Sequence, residues 1–351
     1  MEQKLKEILQ SVTPLDEAAM EAARKRQAQL AKPPGSLGRL EDLSIQLAGI
    51  TGRVHNCVDK KHLLVFAADN GVVEEGVASS PQSVTLMQTI NLTRAKTGAS
   101  VLAKHFGSGI TVCDVGVNAV IRDPAVLNKK IAYGTNNMTK GPAMTRQQAL
   151  SAILTGIELA QNTEADVFGI GEMGIGNTTT SSAVASVLLG RSVEEMTGVG
   201  AGLTSAGLTR KIDAIKRAIE LNQPDADDAI DVLAKLGGYD IAGITGLFIG
   251  GALYGIPVLI DGFISAVSAL IAQRLCPACS CAMIATHVSG EPAGTSVLDA
   301  LGLEPVITAG MRLGEGTGAV CLVPMLDMAL ALYNGTSFDA IGLEAYEVNP
   351  Q

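Results

Sequence analysis

Two glutamates stand between glycines, in segments whose backbone can approach a ligand closely. Glu315 lies in Arg312–Ala319 (RLGEGTGA), and Glu172 lies in Gly169–Thr180 (GIGEMGIGNTTT). Glycine adopts conformations that a Cβ forbids, so each carboxylate is expected on shaped, accessible backbone rather than on a solvated helix face. A general base is commonly presented in this way, whereas a glycine-rich turn with an incidental glutamate is the alternative. The repetition of the pattern favours a role in chemistry.

Hydroxyl and amide groups follow Glu172 closely. Thr178–Thr180 is predicted to begin a helix, and free amides and hydroxyls at a helix N-terminus form a site for a phosphate. The segment also fits GxGxxG after a strand, with Glu194 at a suitable distance downstream, which is typical of NAD-binding proteins. That fit is weak because Ile175–Asn177 prolongs the loop instead of opening a helix. A phosphomonoester suits the segment at least as well as a pyrophosphate.

Two further loops could contact a ligand. Gly198–Leu203 (GVGAGL), followed by Lys211, is a candidate phosphate or ribose loop, or else a helix-capping loop with a surface lysine beyond it. It is not a Walker A motif, because no GK[ST] follows. A polar loop after residue 70 could hold a planar ligand, or could simply be surface. Its plausible contacts are Ser79, Ser80, Gln82 and Gln88.

The surrounding pattern predicts a parallel α/β sheet with helices on both faces. Near-continuous apolar strands are predicted over 63–68, 110–115, 166–169, 257–260, 282–286 and 320–323. Function in such folds lies at the carboxyl ends of the strands. The polar side chains expected there are Asp69, Asn70, Asp114, Glu172, Asp261 and His287.

The two ends of the chain are predicted to be helical. A helical stripe begins at Leu5, a second helix spans about 16–30, and a third spans 40–50 after the proline-rich loop. The apolar segment Met325–Leu332 is also expected to be a helix. We therefore predict a small helical domain from residues 1–60 and 325–351, beside a large α/β domain of residues 61–324.

Composition narrows the classes of function. The 351 residues carry a net charge of −9, which disfavours nucleic acid because its binding depends on neutralising phosphates. The apolar stretch 241–260 is about membrane-spanning length, but its five glycines and Pro257 favour a buried helix, a turn and a buried strand. The charged N-terminus is unlike a signal peptide, so a cytoplasmic protein with reduced thiols is expected.

Cysteine and histidine offer little to a metal ion. Cys276, Cys279 and Cys281 include a CxxC, yet a structural zinc site normally needs a second such cluster, which the sequence lacks. Ordinary thiols are the favoured interpretation, and a metal or redox site is the alternative. The four histidines form no HxH or HxxxH pair, so neither a metal nor a cofactor is expected.

Four long motifs resemble one known family. They occur in the order Lys32–Gly38 (KPPGSLG), Ala67–Val72 (AADNGV), Gly171–Thr179 (GEMGIGNTT) and Arg312–Ala319. The chain resembles the nicotinate-nucleotide–dimethylbenzimidazole phosphoribosyltransferases over nearly its whole length. The resemblance implies a Rossmann-like sheet and a homodimer. It also implies transfer of phosphoribose from nicotinate mononucleotide to 5,6-dimethylbenzimidazole, giving α-ribazole 5′-phosphate and nicotinate in cobalamin nucleotide-loop assembly.

The resemblance also implies residue roles. Glu315 matches the catalytic base, which accepts the proton that the incoming base loses after attacking C1′. Glu172 matches a second site glutamate that positions the ribose or the base. The 5′-phosphate would be held by Gly174, Gly176, Asn177, Thr178 and Thr179. The other implied contacts are Gly200, Gly202, Lys211, Asp261, Leu313 and Gly314.

Three segments depart from the family pattern. Ser80 precedes Pro81 where an aromatic residue is expected, which leaves the acceptor open between dimethylbenzimidazole, adenine, other benzimidazoles and phenols. Val199 and Ala201 stand where a basic residue and threonine are common, and Asn136 stands where arginine is often seen. Two other functions compete with the transferase. They are a dinucleotide-dependent oxidoreductase and a non-catalytic nucleotide-binding protein, the latter disfavoured by the intact glutamate of the RLGEGTGA motif.

Overall fold

The strands of the protein form one parallel sheet in the computed structural model, which describes residues 1–344. Their bounds are β1 Lys61–Ala68, β2 Gly109–Gly116, β3 Val126–Asn128, β4 Val167–Met173, β5 Val258–Ile260 and β6 Met283–Ala285. The sheet order is β3-β2-β1-β4-β5-β6, and neighbouring strands run parallel. The order reverses between β1 and β4, which opens a crevice outside the carboxyl ends of these central strands. The predicted Rossmann-like α/β class is confirmed.

Helices connect the strands and cover the sheet. In the described part of the chain their bounds are α1 Glu2–Gln10, α2 Glu17–Gln29, α3 Arg39–Thr51, α4 Ser83–Leu92, α5 Gly98–His105, α6 Arg146–Asn162, α7 Asn177–Leu189, α8 Val193–Met196, α9 Ser205–Asn222, α10 Ala229–Leu236, α11 Tyr239–Tyr254, α12 Phe263–Leu275, α13 Ala293–Leu301 and α14 Thr317–Tyr333. Every residue of β4 is buried, as expected of a central parallel strand covered on both faces.

The apolar stretch 241–260 is a buried helix, a turn and a strand, as predicted. Its helix, α11, packs backbone to backbone on α6. A Cβ at Gly246 would lie 1.9 Å from the carbonyl oxygen of Ile153, and one at Gly156 would lie 2.0 Å from that of Gly243. Glycine is therefore required at this contact. Among the described residues no helix is long and apolar enough to cross a membrane.

The prediction that the strand before Glu172 ends at Gly169 is wrong. β4 continues to Met173, so the first two glycines of the GxGxxG pattern lie inside a strand. A Cβ at Gly171 would come within 2.3 Å of the carbonyl oxygen of Glu315, so this glycine serves close backbone approach rather than a turn. A dinucleotide fingerprint needs its glycines in the turn between strand and helix, so the geometry behind the oxidoreductase interpretation is lost.

The prediction of a strand over 320–323 is also wrong. These residues lie within α14, which begins at Thr317 after Gly316 has taken a left-handed conformation with φ +99°. A short apolar run cannot be told from a buried helix by periodicity alone. The sheet still has six strands because it includes β3, Val126–Asn128, which was not predicted. Its three residues are too few to show a strand pattern in the sequence.

The two ends of the chain pack together. Arg26 Nη2 donates to the carbonyl oxygen of Gly335 at 2.7 Å, and Leu30 pairs with Ser337 in an isolated antiparallel bridge. α14 runs unbroken across the predicted boundary between residues 324 and 325, with Pro324 inside the helix. The division into two domains stays a prediction, and its residues 345–351 lie outside the described part of the chain.

Two of the three neighbouring cysteines contact the N-terminal segment. The thiols of Cys276 and Cys281 donate to the carbonyl oxygens of Leu9 and Thr13, at 3.7 and 3.8 Å. All three are free thiols, and burial raises the pKa of Cys281, so the thiol form is favoured there. Within residues 1–344 no group of three metal-binding side chains is placed to hold an ion.

Candidate active site

A cleft of about 220 Å³ lies at the carboxyl ends of β4, β5 and β6. Its wall is formed by Val84, Gln88, Glu172–Ile175, Asn177, Thr178, Gly200, Ala201, Asp261–Ser265, His287, Ser289, Glu291 and Arg312–Glu315. A smaller compartment of about 80 Å³ adjoins it, lined by residues 77–80 and sharing the turn at 174–178. The two together form an elongated site with an acidic end and a glycine- and hydroxyl-rich end.

The cleft brings together most of the sequence-predicted site residues. Those that line it are Gln88, Glu172, Gly174, Asn177, Thr178, Gly200, Asp261, Leu313, Gly314 and Glu315. Ser79, Ser80 and Gly176 line the adjoining compartment. Gln82, Thr179, Gly202 and Lys211 line neither space. Of the predicted polar rim, Glu172, Asp261 and His287 line the cleft, whereas Asp69, Asn70 and Asp114 line neither space.

Glu315 is presented on a left-handed loop. Gly314, Glu315 and Gly316 have φ values of +80°, +63° and +99° in succession. A non-glycine residue in this region costs about 1–2 kcal/mol, so the surrounding contacts must hold it there. Asp261 does so, because its carboxylate accepts from the amides of Gly316 at 3.0 Å and Gly318 at 2.6 Å. The loop thus ends in a helix whose first amides are capped by a side chain from the end of β5.

Asp261 is itself an unusual carboxyl group. Its side chain is buried, and burial raises its pKa to about 6, while the hydrogen bonds from the α14 amides act in the opposite direction. The N-terminus of a helix stabilises a negative charge. The ionised form of Asp261 therefore fits its place, with both oxygens turned toward the loop that carries Glu315.

The Glu315 carboxylate is oriented by a second helix. Its Oε2 accepts from the backbone amide of Ala99, at the start of α5, at 3.3 Å. Only 7% of the residue is exposed. Within the described residues Oε1 makes no hydrogen bond, and Glu315 lines the cleft. One oxygen is thus anchored and the other is available to a ligand.

Glu172 faces Glu315 from the end of β4. Its Oε1 accepts from the Glu315 amide at 3.2 Å, and its Oε2 accepts from Asn177 Nδ2 at 2.5 Å. Burial raises the pKa of Glu172 to about 7, and the hydrogen bond from Asn177 lowers it in part. The carboxylates of Asp261 and Glu315 raise it further. This carboxyl group is therefore poised to change its charge near neutral pH.

The first turn of α7 forms the opposite end of the cleft. Gly176, with φ +94°, precedes the helix, and Thr178 lines the cleft, so the predicted helix entry is confirmed. Lys211 reaches this turn from α9, where its Nζ donates to Thr178 Oγ1 and to the carbonyl oxygen of Gly198, each at 3.0 Å. The residue is fully buried rather than on the surface, and burial lowers its pKa to about 8.

Several cleft residues were not named as site residues from the sequence. They are Ser265, His287, Ser289, Glu291 and Arg312. His287 was expected at the rim because it follows a strand. Its Nδ1 lies 3.0 Å from Thr286 Oγ1, and burial lowers its pKa. A Cβ at Gly318 would lie 2.1 Å from that nitrogen, so His287 packs directly against the start of α14.

The parallel sheet and its cleft belong to a phosphoribosyltransferase. The chain belongs to the phosphoribosyltransferase family DBI_PRT, whose model matches residues 12–342. It is similar to two proteins named nicotinate-nucleotide–dimethylbenzimidazole phosphoribosyltransferase. The one from Ruminiclostridium cellulolyticum is 50% identical, covering 95% of this chain and 96% of the relative. The one from Acetivibrio thermocellus is 47% identical, covering 97% and 98%.

A solved structure agrees with this assignment. The crystal structure of CobT from Thermus thermophilus superposes with a TM-score of 0.89 at 37% identity, covering 93% of this chain and 99% of that one. The family resemblance that the four motifs indicated is therefore confirmed over nearly the whole length of the chain.

Proposed function

We propose that this protein transfers phosphoribose from nicotinate mononucleotide to 5,6-dimethylbenzimidazole, giving α-ribazole 5′-phosphate and nicotinate for the nucleotide loop of cobalamin. The observation that carries the proposal is Glu315, held in the cleft with one oxygen anchored and the other available. Its setting within a phosphoribosyltransferase fold supports a proton acceptor beside a sugar-phosphate site. The names of relatives at up to 50% identity support the same substrates.

The reaction requires little from the enzyme beyond orientation and a base. The bond from C1′ to a positively charged pyridinium nitrogen is already activated, so its electron pair leaves readily onto the ring nitrogen of nicotinate, which becomes neutral. An unprotonated benzimidazole nitrogen attacks C1′ from the opposite face, which converts a β-nucleotide into an α-product. The other ring nitrogen then gives its proton to Glu315. A positioned base of this kind contributes roughly 10²–10⁴-fold to the rate.

Glu172 is proposed to position the substrate and the loop that carries the general base, Glu315. It holds the amide of Glu315 with one oxygen and the amide of Asn177 with the other, so it links the acidic end of the cleft to the first turn of α7. Asp261 is proposed to act indirectly, because its carboxylate accepts hydrogen bonds from backbone amides at the start of α14. Its contribution is then the placement of Glu315 rather than direct contact with substrate.

The 5′-phosphate is proposed to bind at the first turn of α7. The amides of Ile175, Asn177 and Thr179 already donate within the protein, so the remaining amides of this turn and the positive end of the helix dipole would favour an anion there. Lys211 lies behind this turn and donates to the hydroxyl of Thr178. A bound phosphate would bring a negative charge close to Lys211 and so raise the pKa of Lys211. Gly200 would contribute from the neighbouring loop and Gln88 would contact the planar base, whereas Ser79 and Ser80 line the compartment beside the α7 turn and Gln82 and Gly202 line neither space.

The protein is further proposed to act as a cytoplasmic homodimer with a small helical domain of residues 1–60 and 325–351. Large apolar side chains remain exposed on elements that reach the cleft, namely Met87 on α4, Val101 on α5 and Leu313 in the cleft wall. Contiguous exposed apolar surface commonly marks an interaction site. Light scattering coupled to gel filtration tests the assembly, and a monomeric mass at all concentrations would contradict it.

An assay of the purified protein tests the activity directly. Nicotinate mononucleotide and 5,6-dimethylbenzimidazole are incubated with the protein, and chromatography follows both nicotinate release and a new ribotide. We expect equal amounts of the two products. Parallel assays with adenine and phenols identify the preferred acceptor. Absence of nicotinate release with every acceptor would contradict the proposed function.

A further inference from the structure

Behind the cleft, the side-chain amide of Asn177 lies between two carboxyl groups. Its Nδ2 is 2.5 Å from Glu172 Oε2 and 3.0 Å from Asp240 Oδ2. Asp240 lies in the first turn of α11, is wholly buried and does not line the cleft. An amide NH₂ group has two hydrogens, so Asn177 can donate one to each carboxyl group. Asp240 therefore fixes the direction in which Asn177 donates to Glu172.

The two carboxyl groups differ in how their oxygens are satisfied. Both oxygens of Glu172 accept hydrogen bonds. By contrast, Asp240 Oδ1 is buried and has no hydrogen-bond partner among the described residues. A Cβ at Gly238 would lie 2.5 Å from Asp240 Oδ1 and 2.6 Å from Asn70 Oδ1, so both acceptors border the same small space. The side-chain Nδ2 of Asn70 is likewise buried without a partner among the described residues. A proton on Asp240 Oδ1 would place a donor beside the Asn70 acceptor.

The charges around Asp240 favour the same arrangement. The groups that face it are Glu172 from β4, Asn177 from α7 and Asn70 after β1, and none of them is cationic. Within the described residues no ion pair involves Asp240 or Glu172, or the neighbouring Asp261 and Glu315. Burial raises the pKa of Asp240 to about 7 and the Glu172 charge adds to this, while hydrogen bonds from Asn177 and from the amides of Asp240 and Ile241 lower it in part. The α11 dipole favours ionisation by only about 0.3–1 kcal/mol.

We propose that Asp240 is a positioning residue that works as a neutral carboxylic acid, accepting from Asn177 through Oδ2 and donating its own proton to Asn70. In this state Glu172 keeps the negative charge of the pair, with its oxygens directed to Asn177 and to the amide of Glu315. The role rests on the proposed function, because it is exerted on the glutamate that orients the general base.

Two substitutions distinguish this role from simple packing. Asp240→Asn has the shape of the protonated acid, with an oxygen to accept from Asn177 and an amide to donate to Asn70, and cannot ionise. We expect it to keep at least about a third of the wild-type kcat, since both hydrogen bonds survive. Asp240→Ala removes both, and we expect kcat to fall about tenfold or more. Thermal unfolding of both variants controls for loss of the fold.

The pH dependence of kcat gives a readout that packing would not move. If the neutral acid is the working form, wild-type activity falls as pH rises through the pKa of Asp240. Asp240→Asn has no proton to lose there, so its alkaline limb should begin at higher pH. An Asp240→Asn enzyme with an unchanged alkaline limb, or with less than about a tenth of wild-type kcat, would overturn the proposal.

Infrared difference spectroscopy tests the proton without any turnover. A protonated carboxyl group gives a C=O stretching band that shifts on exchange into D₂O. We expect such a band in ligand-free wild-type protein at neutral pH, and its loss in Asp240→Asn. If the wild-type spectrum lacks that band, Asp240 is ionised, its partner is a rotated Asn70 amide, and the proposal is wrong. Failure of the transferase assay alone would count against the proposed function and leave this result to decide on Asp240.

Discussion

The two glycine-framed glutamates look alike in sequence and are built differently in space. Around Glu315 the glycines supply left-handed backbone, with φ of +80° at Gly314 and +99° at Gly316. Around Glu172 the motif is part of strand β4, and position 171 must be a glycine because the carbonyl oxygen of Glu315 lies against it. The glycines beside Glu315 are needed for conformation as well as space, because a Cβ at Gly316 would lie 2.9 Å from the carbonyl oxygen of Ile170, whereas Gly171 is needed for space alone.

The difference separates catalysis from architecture. The Glu315 loop is held by side-chain contacts from other elements, chiefly Asp261, so a change there should alter the reacting carboxylate and leave the fold intact. The Glu172 segment belongs to the sheet ladder between β1 and β5, so a change there should disturb the fold as well. Four substitutions test this separation, in order of expected effect.

Glu315→Gln should give the largest effect, on activity alone. The amide keeps the size of the side chain but cannot accept a proton, so we expect kcat to fall roughly 10²–10⁴-fold. Binding of nicotinate mononucleotide, measured by calorimetry, and the unfolding temperature should stay near wild-type values. Turnover like that of the wild type would remove Glu315 from the role of base.

Asp261→Asn should weaken the loop without removing the base. One of the two α14 amides would face an N–H group instead of an oxygen, and an unmet buried hydrogen bond costs about 1–3 kcal/mol. We expect a loss of about ten- to a hundredfold in kcat if that energy goes into displacing Glu315. Asp166→Asn, far from the cleft just before β4, is the matched control. Equal kcat values for the two variants would contradict the assigned role of Asp261.

Gly171→Ala should act on stability first. The new Cβ would lie 2.3 Å from the Glu315 carbonyl oxygen and 2.9 Å from Val65 Cγ2, so the strand or the loop must move. Overpacking of this kind costs about 1–3 kcal/mol in unfolding free energy. Urea unfolding measures it, with Gly190→Ala as the control, since that glycine has open space but a left-handed φ of +61°. Gly171 lies in a strand without a left-handed φ, so an unchanged unfolding free energy in Gly171→Ala would contradict the close contact.

Glu172→Gln should change how stability depends on pH. Glu172 and Asp240 form a buried pair whose pKa values are each raised to about 7, above the ordinary 4.5 and 3.8, so this group binds more protons in the folded protein than in the unfolded chain as pH rises toward 7. Stability from this group is therefore full below about pH 4.5 and is lost as pH rises toward 7. Glu172→Gln should flatten that fall in unfolding free energy. An unchanged slope would place the raised pKa elsewhere in the cluster.

The sequence predicts the rim of the sheet better than its interior. Asp261 and His287 were placed correctly because any residue that follows a buried parallel strand lies at the carboxyl edge. The strand through Glu172 was cut short because glycine marks turns and close contacts alike. The helix over 320–323 was mistaken for a strand because four apolar residues suit both.

No local pattern in the sequence indicates the burial of two residues, Asp240 and Lys211. Asp240 stands at the start of a helix that shows only an apolar sequence, and its approach to Asn177 joins residues 63 positions apart. Lys211 was expected on the surface or in a phosphate loop, whereas it is buried behind Thr178. Long-range packing decides both positions, and single-sequence reasoning has no access to it.

The contact between Gly171 and the Glu315 carbonyl also bears on heat tolerance. Many enzymes lose activity well below their melting temperature, because a flexible catalytic loop frays before the core does. Here the backbone of the Glu315 loop lies directly against the backbone of β4, with no side chain between them. On heating, the Glu315 carboxylate should therefore stay in place until the sheet unfolds. We expect the loss of activity and the unfolding of the protein to occur at the same temperature.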